Sequence, residues 1–519
     1  MRTGDTKRGG RRTRLERVVT SPAPTPEGIA GGLYRPLKPG DLERVHRAAL
    51  EVLESVGMAG ATPTVTELAL AKGCRLGEGG RLLFPAALIE DVIAGACRSF
   101  PLFGQDPKHD LEAKAGQLHF ATGGAAVTVL DGESGRYRPS TLADLYDLAR
   151  LADTLANIQW FARPVVATEI EDWRELDLNT VYACAAGTQK HLGSSITLPQ
   201  HVADIEALLD LVLGAEGAFR RRPFLSVHAT TVVSPLTFAA DSSDVATAAA
   251  RIGMPVHSQT GPQSGATAPA ALAGTLVQVV AETLVALTAI NLVRPGHPVI
   301  AGGWPFVSDL RTGAFTGGSG EQALLSAGLA QLMTFYDLPS GTAASMTDSK
   351  LPDNQAGYEK GVTTLLTALS GPTFLYESAG MLASLMGCSP EAMVIDDEML
   401  SSIRRCMRGI EVSDETLSVR VIAEAARGPG HFLGHEQTLS LMQSEYVYPQ
   451  LADRQSIEVW QERGGHDMVA RARARVRETL AQHYPSHLSE ATDRQVRNRF
   501  PIRLPRRAMT VKDAEGHSS

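Results

Sequence analysis

In the stretch GPGHFLGHEQTL, from Gly428 to Leu439, two histidines stand four residues apart, with Glu436 directly after the second. On a helix this spacing sets His431 and His435 on one face, as zinc-holding helices do. A zinc site needs a third protein ligand, and a metalloprotease motif needs glutamate directly after the first histidine. Phe432 occupies that place, cysteines are sparse nearby, and Gly428-Pro429-Gly430 with Gly434 frame a turn and helix cap. No metal site is assigned.

A second set of chemistry-bearing residues is scattered along the chain, on or just after short β-like runs. FLSVHAT supplies His228, PVHSQT supplies His257 and Gln259, and PVIAGGW leads to Trp304 and Phe306. SGTAASMTDSK leads to Lys350, FLYESAG supplies Tyr376 and Glu377, and Trp160 lies on IQWFARPVV. His257 and Gln259 are two apart, so they share one face of their strand. The set is rich in aromatics, although these make up only 5% of the chain, and it is poor in nucleophile–base pairs. Aromatic walls suit a quaternary ammonium, which donates no hydrogen bond and is held by cation–π attraction and shape. Taken singly, each aromatic reads first as packing and each histidine as a hydrogen-bonded core residue. Their recurrence at equivalent places on successive runs makes them candidate substrate-binding residues. TGGSGEQ lacks the Lys-Ser/Thr ending of a phosphate loop, and no GxSxG occurs, so neither chemistry is indicated.

These residues need a scaffold. Strand-like runs at IQWFARPVV, SSITL, FLSVHAT, PVHSQT, PVIAGGW, SGTAASM and FLYESAG are mostly followed by helix-length segments such as His201–Leu213 and Asn354–Leu369. They recur every roughly 30–45 residues, the pitch of repeated βα units. Seven such runs, with an eighth sought in the N-terminal part, predict a (β/α)8 TIM-type barrel, whose active site lies at the C-terminal strand ends. A doubly wound open sheet is the alternative, weakened by the absence of GxGxxG. The expected organisation is a disordered basic tail (1–30), a helical and β-hairpin region (31–150), the barrel (151–400), C-terminal helices packed on it (401–490) and a disordered tail (505–519). Leu42 to Val56 and Pro85 to Ala96 have amphipathic spacing, and Thr141 with Asp144 forms an approximate capping box.

The net charge of −8 and pI near 6.0 argue against a general nucleic-acid binder. Five scattered cysteines without a CxxC pair indicate a reduced, cytoplasmic protein. The first 17 residues carry seven Lys/Arg but no apolar run follows, so they are not a signal peptide. The longest apolar stretch, Ala268 to Val293, is interrupted by Gln278 and Glu282 and reads as a buried helix, not a membrane span.

GPGHFLGHEQTL, followed by EYVYPQLADRQSIEVWQERGG and ARARARVRETL, resembles the C-terminal signature of the trimethylamine methyltransferase (MttB) superfamily. TDSKLPDNQAGYEKGVTTLLTALSGPTFLYESAGML, with VIDDEML after it, is similar to that family's barrel region, and GQLHFATGGAAVTVLDGESGRYRPSTLADL to its N-terminal part. The resemblance covers roughly residues 35–490, with its motifs in family order. It implies a (β/α)8 barrel and methyl transfer from a methylated amine to the cobalt of a corrinoid (cobalamin) carried by a separate small corrinoid-binding protein. It also implies a homo-oligomer. The family archetype uses pyrrolysine; this chain has standard residues throughout and resembles the non-pyrrolysine branch, whose members demethylate quaternary amines such as glycine betaine. No residue here is assigned to the pyrrolysine position. The alternatives are a barrel methyltransferase with another methyl donor and a non-catalytic barrel that binds a small amine.

Overall fold

The computed structural model describes residues 28–510. Residues 1–27 and 511–519, which include most of both tails expected to be disordered, lie outside the described residues. Eight short strands each precede a helix. In chain order these are β1 (Gln117–Phe120) and α1 (Leu142–Asp153), β2 (Trp160–Ala162) and α2 (Trp173–Gly187), β3 (His191–Ser194) and α3 (His201–Leu213), and β4 (Leu225–Ala229) and α4 (Ala240–Ile252). There follow β5 (Val256–Thr260) and α5 (Leu272–Val293), β6 (Val299–Gly303) and α6 (Gly320–Phe335), β7 (Ser340–Ala343) and α7 (Asn354–Ser370), and β8 (Phe374–Tyr376) and α8 (Pro390–Arg408).

The strands are neighbours in the order β1-β8-β7-β6-β5-β4-β3-β2, and every adjacent pair is parallel. The sheet curls until β2 meets β1. There Ala121 and Trp160 form a parallel bridge, and Gln159 N–H donates to the Phe120 carbonyl at 3.0 Å. The result is an α/β fold around a curled parallel sheet. That sheet takes its first strand from residues 117–120, so it begins well before the boundary expected at 151. SSITL is displaced: β3 is His191–Ser194, and only Ser194 of that run belongs to it.

Alternation along each strand decides what faces inward. Val256 packs in the outer core, and Thr260 hydrogen-bonds Glu282 on α5, so His257 and Gln259 turn to the concave face. Likewise Leu375 packs outward while Phe374 and Tyr376 face in. A hairpin, Ser99–Leu102 paired with Leu111–Lys114, shares the inner cluster with Trp160 and Phe374. It closes the end of the sheet where the strands begin: Lys114 O accepts from Thr373 Oγ1 at 3.2 Å, just before β8.

The helices have local reasons to start where they do. Thr141 and Asp144 form the anticipated capping box, and Asp172, Ser319, Asp353 and Ser389 accept N–H groups of the first turns of α2, α6, α7 and α8. Among the described residues α5 alone is long and apolar enough to cross a membrane, and 78% of its apolar window is buried within the protein. It lies between the sheet and the helices Pro39–Ser55, Pro63–Leu70 and Ala86–Gly95. Its buried Glu282 is satisfied by Ser234 Oγ (2.6 Å), Leu236 N–H (3.0 Å), Gln278 Nε2 (2.9 Å) and the Thr260 hydroxyl.

The VIDDEML acids each secure a different piece. Asp396 binds Lys360 Nζ (2.6 Å) and Gly380 N–H (2.8 Å), tying α8 to α7 and to the loop after β8. Asp397 accepts Asn157 N–H at 2.9 Å, just before β2. Glu398 accepts the backbone N–H groups of Gln450, Leu451 and Ala452 at 2.6–2.7 Å, anchoring the C-terminal segment. At the ends of the described chain two parts of the expected tails are ordered. Ile29–Ala30 pairs antiparallel with β1, and Arg506–Met509 forms a helical turn with Met509 buried near Tyr182. Backbone pairing and a buried methionine hold the chain at these residues.

Candidate functional site

The inward-facing residues converge on one aromatic and imidazole cluster. Trp160, fully buried, is its hub. Its ring centroid lies 4.3 Å from His257, 5.4 Å from His228, 5.7 Å from His191, 5.4 Å from Tyr376 and 5.1 Å from Phe374. His228 and His257 are register partners on β4 and β5, with centroids 4.8 Å apart. Parallel register places partners on the same face, the physical form of their equivalent places in the sequence. Trp304 stands 6.0 Å from Tyr376, and Phe306 lies beyond it, 6.2 Å from Trp304. Gly341 on β7 makes room for Tyr376: a Cβ there would come within 2.2 Å of its ring.

The cluster is held electrically neutral. Burial pushes His191 and His228 down to about 3, with the Arg163 guanidinium adding to the effect on His228. Burial also holds His257 well below the usual imidazole range, and Tyr376 well above the usual phenol range. Tyr376 therefore keeps its proton and donates it to His257 Nδ1 at 2.5 Å, so the ring proton of His257 resides on Nε2. At neutral pH none of these imidazoles is a cation that would repel another cation. Glu377 follows at the end of β8, fully buried, and burial raises its carboxyl well above the usual carboxylate range.

Unpaired polar atoms mark this region. Trp160 Nε1, His228 Nε2, His257 Nε2, Gln259 Oε1, Trp304 Nε1, Ser345 Oγ and both carboxyl oxygens of Glu377 have no hydrogen-bond partner among the described residues. Buried polar groups are rarely left so, and their gathering on the inner strand faces and just past the C-terminal strand ends points to a ligand. A cavity of about 1080 Å³ lies elsewhere, between Asp131, the start of α7, α8 and the C-terminal segment, and none of the cluster residues lines it. Unsatisfied chemistry is the better guide here than size.

Of the residues anticipated from sequence, Trp160, His228, His257, Trp304 and Tyr376 come together, with Phe306 at the edge; Gln259 shares the strand face of His257, and Glu377 follows Tyr376 just past β8. Lys350 stands apart: it is exposed, and its ammonium donates to the Asp348 carbonyl at 2.6 Å. Asp348 ties three loops together, its Oδ1 accepting Gly317 N–H and Ser384 Oγ, both at 2.6 Å. His191 went unnoticed because the strand was placed at SSITL; its rings of contact follow from pairing with Trp160 in register. Arg163, just past β2, was also passed over. Its Nη2 donates to Ser195 Oγ at 2.6 Å, and no carboxylate of the described residues lies within 4.0 Å of it. A lone arginine before a proline carries no sequence signal of that kind.

The GPGHFLGHEQTL histidines lie away from this site. His435 caps the helix Glu436–Leu441, its Nδ1 accepting Gln437 N–H at 3.1 Å while Nε2–H faces Glu424 Oε2 at 3.3 Å. His431 is exposed. No group of three His, Cys, Asp or Glu placed to hold a metal occurs among the described residues.

Comparison with known proteins adds the last observation. The family model described as trimethylamine methyltransferase (MTTB) matches residues 7–504. The chain is 33% identical over 451 residues to trimethylamine methyltransferase MttB of Methanosarcina thermophila, covering 85% of this chain and 92% of that protein. It is 27% identical over 460 residues to a glycine betaine methyltransferase of Desulfitobacterium hafniense, covering 89% and 95%. Monomethylamine methyltransferase of Methanosarcina barkeri aligns in structure with a TM-score of 0.49 at 14% identity, over 84% of this chain and 87% of that one.

Proposed function

The chain belongs to the trimethylamine methyltransferase family and is a methyltransferase, and on that footing we propose that it moves a methyl group from a quaternary amine of the glycine betaine type, or another methylamine, to a corrinoid on a small partner protein. The observation that carries the reading is the neutral cluster of Trp160, Tyr376 and Trp304, with Glu377 next in the chain after Tyr376 and its carboxyl unpaired among the described residues. Rings offer their faces to a methylated ammonium, and held-neutral histidines leave the cation unopposed. Arg163, without a carboxylate partner among the described residues, supplies the charge that a betaine carboxylate meets. The order of the eight parallel strands, with β2 bridged to β1, supports closure as a (β/α)8 barrel with the site at the strand ends.

When its carrier docks, the corrinoid supplies a strongly nucleophilic Co(I) centre. This chain orients one N–methyl toward the open strand ends and keeps water out. A quaternary nitrogen leaves as a neutral tertiary amine without needing a proton, so no general acid is required. Five unpaired thiols support a cytoplasmic setting. Exposed Ile410, Val412, Val419, Leu433 and Ile457 on the C-terminal segment support self-association as a homo-oligomer. The test is direct. Protein incubated with free cob(I)alamin and a panel of glycine betaine, other betaines and methylamines consumes the Co(I) absorption with at least one of them. No consumption with any methylated amine refutes the reading.

A further inference from the structure

Glu377 is a buried acid without a purpose of its own in the free protein. Among the described residues neither carboxyl oxygen has a hydrogen-bond partner, and the residue is fully buried. Its backbone sits at a φ of 55°, in the left-handed region that a non-glycine residue rarely adopts. The facing wall is cut to fit: Gly123, with a φ of 154°, lies where a Cβ would stand 3.0 Å from Glu377 Oε1. The preceding residue is Tyr376, whose ring belongs to the cluster around Trp160 and Trp304. A carboxyl held in this way, with its hydrogen-bonding capacity unused, is incomplete without a ligand, and one residue along from a cluster of aromatic rings the complementary ligand is a cation.

We propose that Glu377 is the counter-ion of the substrate's ammonium group and that substrate enters by exchange for its proton. The inference rests on the methylamine reading above and assigns one residue of that site its role. In the free protein the carboxyl is neutral, because an unpaired buried carboxylate is too costly. When a quaternary ammonium arrives, the Glu377 O–H bond breaks, the electron pair stays on the carboxylate oxygen, and the proton passes to solvent. The buried site thus exchanges one positive charge for another.

The other titratable groups of the site and of the elements around it do not supply this charge. Tyr376, on the same strand, stays protonated, and His191, His228 and His257 across the cluster stay neutral. Asp396, behind Gly380, is paired with Lys360. Arg163 lies on the His228 side of the cluster and cannot accept a proton in exchange.

Isothermal titration of the full-length protein with tetramethylammonium and with glycine betaine, in buffers of different ionisation enthalpy, counts the protons released. The expected result is about one proton per ligand, with affinity rising about tenfold per pH unit for as long as the free Glu377 is protonated. In Glu377→Gln the release disappears and affinity becomes independent of pH. Binding without proton release, or release that persists in Glu377→Gln, overturns the assignment and leaves the methylamine reading standing. Failure of both probes to bind at any pH also overturns the assignment, and the methylamine reading then stands or falls on the cob(I)alamin panel. The wild-type proton count decides the matter even where the variant does not fold.

Discussion

Lys360→Met is the most informative single change outside the site. Lys360 Nζ and Asp396 Oδ2 are 2.6 Å apart, and their side chains are only 3% and 4% exposed. With the lysine gone, Asp396 retains one hydrogen bond, from Gly380 N–H at 2.8 Å. Breaking a buried ion pair from one side costs about 3–5 kcal/mol, because the surviving charge is stranded. Unfolding entropy near 60 °C is about 2.1 cal/mol/K per residue. Over 519 residues this makes about 1.1 kcal/mol/K, so the expected drop in Tm is about 3–5 °C. The deficit depends on pH, and its sign is determined. Burial already holds Asp396 above its ordinary value, with Lys360 pulling the other way. Removing Lys360 raises it further. An acid whose folded pKa exceeds its unfolded one binds more protons when folded, so stability falls as pH rises between the two values. The Tm gap between wild type and Lys360→Met therefore narrows as pH is lowered from about 8 to about 5, and Lys360→Met/Asp396→Leu, which strands no charge, recovers most of the loss. Thermal unfolding followed by circular dichroism reads all three. A Lys360→Met protein as stable as wild type, or a double variant no better than the single one, refutes the reasoning.

Two further changes separate the site from its supports. Trp160→Ala removes the ring at the hub of the cluster and lowers tetramethylammonium affinity about 5- to 30-fold, the equivalent of about 1–2 kcal/mol of cation–π attraction, whereas Trp160→Phe retains part of it; titration calorimetry distinguishes the two, and equal affinity in all three proteins would remove Trp160 from the site. Glu398→Ala frees three backbone N–H groups of residues 450–452, so limited proteolysis cuts the C-terminal segment faster while tetramethylammonium affinity is unchanged.

The sequence by itself determined the βα alternation and named most members of the candidate cluster. Strand positions were legible because a strand buried on both faces is a short apolar run, and helix starts because Thr141 and Asp144 cap locally. His257 and Gln259 declared a shared face by their spacing alone, since period-two alternation needs no partner. The strand HLGS was not legible: it is too short and glycine-containing, and the adjacent SSITL has the stronger β propensity, so His191 was lost with it. Lys350 looked equivalent to Tyr376 along the chain, but the loop after β7 turns its ammonium onto Asp348. Only the tertiary structure brought Trp160 against His257 and Tyr376, because curling of the sheet joins strands some two hundred residues apart. Only it showed that burial holds the histidines neutral and leaves Glu377 without a partner among the described residues. The amount of water around a side chain is a property of the whole fold, and no local pattern of residues encodes it.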